Sequence, residues 1–143
     1  MLLLALALVV GTAGTTLFLT SQFRDGTKNA QACAAGDERL RRIELVFGLS
    51  RKGRADVSEA EWSDFMEREV TPRFPDGLTV IAANGQWRNA AGMIVREPAR
   101  LLLVWAAAIP DLDQRIEHIR TAWKREQQQE SVLRAFSTDC VSF

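Results

Sequence analysis

Hydrophobic positions along this chain change their spacing several times, and each change marks an element. Met1–Ser21 carry no charge, and Gly26–Gly36 are small and polar with no apolar period. Arg42–Leu49 then alternates, with Ile43, Leu45, Phe47 and Leu49 on one face, which predicts a strand. A loop over Ser50–Asp56 follows. Ser58 as N-cap, Glu61 three residues later and the pair Val57/Trp62 predict a helix opened by a capping box and a hydrophobic staple. Its buried stripe is Trp62, Phe65, Met66 and Val70, and Pro72 disturbs its end.

Pro75-Asp76-Gly77 predicts a turn and Leu78–Ala83 a second strand, with a bulge or bend at Asn84-Gly85 before Gln86-Trp87-Arg88 continues it. A hairpin loop at Asn89–Gly92 leads into Met93–Glu97, and Pro98 is expected to face away from a pairing partner. Arg100–Ala106 is apolar on both faces, the mark of a central strand. Asp111 as N-cap with Gln114 opens a second helix whose stripe is Leu112, Ile116, Ile119 and Trp123. Gln127–Gln129 is expected to cap or fray its end. Ser131–Phe136 is the last predicted strand.

The order strand, helix, strand, strand, helix, strand is the split βαβ arrangement of a ferredoxin-like α+β fold. It predicts a four-stranded antiparallel sheet of order 4-1-3-2 with both helices on one face. Right-handed crossovers are expected to set strands one and three in the middle, parallel to each other. One face of such a sheet is left open. With Leu101, Leu103 and Trp105 turned to the helices, Leu102, Val104 and Ala106 lie on it, joined by Val46; reversed parity exchanges the two sets, and both choices leave it apolar. A contiguous apolar patch calls for a cover, and a homodimer through the open face is the expected partner.

Length and charge narrow the classes. The 143 residues divide into an apolar segment over 1–23, a polar linker over 24–37 and one domain over 38–143. The 18 basic and 18 acidic residues cancel, so a nucleic-acid partner is not expected. The apolar segment reads as a signal peptide or a signal-anchor helix that would tie the protein to a membrane. A lipid-modified Cys33 is a further alternative. Two cysteines behind such a leader, Cys33 and Cys140, fit a disulfide in a periplasmic or extracellular setting.

Candidate chemistry is thin. The single histidine, His118, falls on the far side of the second helix from its apolar stripe. A catalytic triad, a metal site and a phosphate loop all lack residues, so no catalytic group, metal or cofactor is expected. Arg51, Lys52 and Arg54 read as solvated charge. Glu44 needs a cation, with Arg134 or Arg100 as the natural candidates. Gln86, Trp87, Arg88, Arg96 and Glu97 flank the hairpin and form the candidate ligand-binding group, because arginine beside tryptophan binds anions or flat rings by fork hydrogen bonds and stacking.

Glu44–Leu49, Val70–Leu78, Gly85–Arg88, Val95–Pro98, Glu130–Arg134 and the terminal Cys140–Phe143 together resemble the exported bacterial family called domain of unknown function 3574. The resemblance covers roughly Cys33 to Phe143 and implies export. The functional expectation is a non-enzymatic, exported ligand- or partner-binding module. The alternative is a dimeric α+β-barrel enzyme or small-ligand carrier.

Overall fold

A computed structural model describes residues 32–143, which form one compact unit. The expectation of an apolar leader over 1–23 and most of the linker lie outside the described residues. Among the described residues, no helix is long and apolar enough to cross a membrane.

The elements are β1 (Glu38–Gly48), α1 (Glu59–Phe65), β2 (Thr79–Arg88), β3 (Ile94–Ala106), α2 (Leu112–Gln127) and β4 (Leu133–Val141). The sheet order is β2-β3-β1-β4, which read from the other edge is 4-1-3-2. Every pairing is antiparallel. The parallel relation expected between β1 and β3 is therefore corrected. The crossover through α1 returns β2 in the direction of β1, and the hairpin then reverses β3.

Register decides which residues share a face, since directly opposed residues lie on the same side. Ile43↔Val104, Leu45↔Leu102 and Phe47↔Arg100 face the helices. They form one core with Trp62, Phe65 and Val70 from the first helical segment and Leu112, Ile116, Ile119 and Trp123 from α2. Trp123 is fully buried, with ring centroids 4.7 Å from Phe65, 5.2 Å from Phe47 and 5.3 Å from Trp62, all edge-to-face. Such pairs add about 0.5–1.5 kcal/mol each beyond area burial.

The capping box forms: the Ser58 hydroxyl accepts from the Glu61 N–H, and the Glu61 carboxylate accepts from the Ser58 N–H. After Phe65 the helix widens into a π turn over Met66–Val70. That turn explains the five-residue step from Phe65 to Val70, which in an ordinary helix would rotate Val70 off the core. Met66 is only partly buried.

Two local expectations are corrected. β2 has no bulge, because its ten pairs with β3 run unbroken from Thr79↔Leu103 to Arg88↔Ile94. The Asp111 carboxylate does not cap α2. It accepts from Arg115 Nε at 2.8 Å, since a guanidinium one turn on outcompetes the helix amides. Of the two outcomes expected for the three glutamines, capping is the one observed: Gln128 is the C-cap of α2 in a left-handed conformation (φ 57°), Gln127 is buried and accepts from Arg51, and Gln129 donates to the Ser50 carbonyl.

Candidate functional site: the open face of the sheet

Alternation along each strand puts Leu101, Leu103 and Trp105 of β3 on the face opposite the helices, beside Val46 of β1, Ile81 of β2 and Leu133 of β4. Among the described residues no element packs over them. Ile81 is 45%, Trp105 38% and Leu133 56% exposed. Glu44 also lies on this face and pairs with Arg42. This corrects the expected partners, because Arg100 faces the helices and pairs with Glu59, while Arg134 reaches Asp113 and Glu117.

Toward the hairpin end the open face carries a polar cluster. Glu97 is only 9% exposed; its Oε1 accepts from Trp87 Nε1 at 2.6 Å and its Oε2 from the Ser50 N–H at 3.1 Å. The carboxylate lies directly over Gly48, the one residue type that leaves room for it. Ser50 in turn receives Gln129 on its carbonyl. The network thus runs from the open face, through the end of β1, to the end of α2.

The five residues of the expected ligand group are divided by this geometry. Trp87 and Glu97 meet on the open face. Gln86 stands opposite Arg96, and Arg88 opposite Ile94, on the other side of the hairpin. Arg88 donates to its own loop carbonyl at Gly92, 2.8 Å away. The arginines and the tryptophan therefore share a strand pair but not a face, and alternation alone tells them apart: even numbers on one side, odd on the other.

At the opposite end, β2 begins only at Thr79 while β3 runs on to Ala106. The missing stretch of edge leaves a groove of about 630 Å³ bordered by Leu78, Thr79, Leu103, Trp105, Ile109 and Arg115. Its size falls within the range of small-molecule sites. No motif announced it, since it arises from where one strand starts relative to its neighbour.

Elsewhere the polar residues are occupied structurally. His118 is exposed, with Nε2 3.0 Å from Glu69 Oε2. Arg51 is not solvated charge: its side chain is 5% exposed, forks onto both Glu61 oxygens at 2.7 and 3.1 Å, and also donates to the Ala55 and Asp56 carbonyls. The Arg51 guanidinium, helped by the Ser58 N–H and hydroxyl, lowers the Glu61 pKa from 4.5 to about 2. Among the described residues no group of three or more His, Cys, Asp or Glu is gathered as metal ligands. Cys33 and Cys140 are bonded, with Cα atoms 5.4 Å apart.

A family model described as "Protein of unknown function (DUF3574)" matches residues 42–143. The chain belongs to that family. No curated protein matches it. Among solved structures, this DUF3574 member is similar to a phage SAM lyase in complex with S-methyl-5'-thioadenosine, at TM-score 0.58 and 11% identity over 80% of this chain and 95% of that one. A phage SAM lyase in its apo state gives 0.55 and 12%, over 79% of this chain and 95% of that one. CutA from Synechococcus elongatus PCC7942 is more distant, at 0.42 and 13%, over 81% and 87%. At these identities the lyase likeness is one of fold: a four-stranded antiparallel sheet with two helices.

Proposed function

We propose that this DUF3574 protein is an exported, disulfide-tied module that binds through the open face of its sheet without catalysing a reaction, and that a second copy covers that face. The observation that carries the proposal is the apolar row Val46, Leu101, Leu103 and Trp105, flanked by Ile81 and Leu133, with no described element over it. Sheets with one apolar face are ordinarily packed on something. The Cys33–Cys140 bond supports an oxidising compartment, and a leader retained at residues 1–23 would add a membrane anchor.

Light scattering on the 32–143 unit, which contains the whole described core and the disulfide, tests the reading. Leu103→Glu puts a charge in the middle of the face and is expected to halve the assembled mass. An unchanged mass, together with no binding of an apolar dye by the wild type, overturns it.

A second reading, a small-ligand carrier or enzyme, is favoured by one observation. A protein of similar fold has been solved holding S-methyl-5'-thioadenosine, and this chain offers a groove of ligand size beside Trp105. Calorimetry with S-methyl-5'-thioadenosine and S-adenosylmethionine is the test. Heat of binding lost in Trp105→Ala supports this reading, and no heat with either removes it.

A further inference from the structure

The two edges of the sheet are treated differently. β4 is guarded: Arg134 is drawn to α2, Arg41 and Arg134 both stack on Phe136, Asp139 adds charge, and Cys140 is bonded to Cys33. β2 has no such protection. Its ten residues, Thr79 to Arg88, carry one charge, at the last position, with no lysine and no proline. Its register is free of bulges, and it exposes apolar side chains on both faces, Val80 at 37% and Ile81 at 45%. Natural sheets blunt exposed edges with charge, proline, bulges or a covering element. A bulge-free edge of this length, charged only at its last residue, is a pairing surface.

We infer that β2 pairs antiparallel with β2 of a second copy, about a two-fold axis at Ala83. The sequence is self-complementary in that register. Ile81 falls opposite Gly85, a bulky side chain against a position with no Cβ, and Val80 falls opposite Gln86. Thr79, the first residue of β2, falls opposite Trp87, so the strand pairs along nearly its whole length. The contact is isologous and closes on itself. It does not depend on the open-face contact. If both form, two perpendicular axes give a closed assembly of four copies in which two eight-stranded sheets meet face to face.

The test uses the 32–143 unit in a Leu103→Glu background, which removes the face contact. Ala83→Cys places two thiols across the axis, at the roughly 4.5–5.5 Å Cα separation of opposed residues, within reach of a disulfide. It is expected to give a covalent dimer on a non-reducing gel. Ile81→Cys, whose copies lie about 13 Å apart in this register, is expected to stay monomeric under the same oxidation. Ala82→Lys, with Leu103 restored, is expected to halve the assembled mass, while Thr138→Lys on the guarded edge leaves it unchanged. A monomeric Ala83→Cys, or equal linking by both cysteine variants, overturns the pairing whatever happens at the open face.

Discussion

Gly48→Ala probes the polar cluster that ties the open face to the helix layer. A Cβ built at Gly48 meets Glu97 Oε2 at 2.5 Å and its other carboxylate atoms at 2.6 Å. The carboxylate is the far end of a flexible side chain, but it is buried and holds two donors, Trp87 Nε1 and the Ser50 N–H. Moving it breaks one or both bonds and leaves the donors short of a partner. Hydrogen bonds to a charged group are each worth about 1.5–3 kcal/mol. Relief of glycine's backbone entropy returns roughly 0.5–1 kcal/mol. The expected net loss is about 2–3 kcal/mol, on the order of 10 °C in melting midpoint for a domain of this size. Gly85→Ala is the matched control: its nearest new contact is Ala99 Cβ at an ordinary 3.8 Å, so it is expected to be neutral or slightly stabilising. Urea unfolding gives each value, and a double-mutant cycle assigns the cause. In a Glu97→Ala background, Gly48→Ala is expected to cost nothing. A Gly48→Ala protein within about 0.5 kcal/mol of wild type, or one whose loss is the same in both backgrounds, refutes the reasoning.

Two further outcomes follow from bonds at the ends of elements. Because the Glu61 pKa is lowered from 4.5 to about 2, its contribution to stability is present above about pH 4.5 and is lost as pH falls toward 2. Urea midpoints taken down that range should therefore fall less steeply in Glu61→Gln than in wild type, and parallel curves would contradict the assignment. Replacing both Cys33 and Cys140 by serine opens a loop of 107-residue separation and is expected to lower stability by on the order of 4 kcal/mol. A loss below about 1 kcal/mol would mean that the unfolded chain is already restrained.

The element order and both helical stripes were legible because each rests on local periodicity. Trp62 and Phe65, and Leu112, Ile116, Ile119 and Trp123, are buried where their spacing put them. Strand lengths were less legible. β1 begins at Glu38 and β4 runs to Val141, through charged and polar residues that pair only because a neighbour is present. The π turn leaves Met66 only partly buried while Val70 ends the stripe in the core, and the tight pair Asn84-Gly85 imitated a bulge. In the candidate site, nearness along a hairpin groups Trp87 with Glu97, and the two side chains meet. Arg88 and Arg96 were grouped with them by the same argument, although strand alternation turns them to the other side. Arg51 was missed because three neighbouring basic residues look alike in sequence; its burial comes from Glu61 and Gln127, ten and seventy-six positions away.

The bond between Cys33 and Cys140 encloses β1 through most of β4 in a covalent ring. Tension applied to the chain ahead of Cys33 therefore does not reach β1 alone. It divides at the sulfur bridge and loads the neighbouring strands β1 and β4 together, so their shared ladder is not pulled apart and the load passes in shear to the ladder between β1 and β3. A strand loaded by itself unzips one pair at a time, whereas two strands pulled from a common point have no free end to start from. Wherever load enters ahead of Cys33, that places mechanical resistance at the point where the incoming chain joins the sheet.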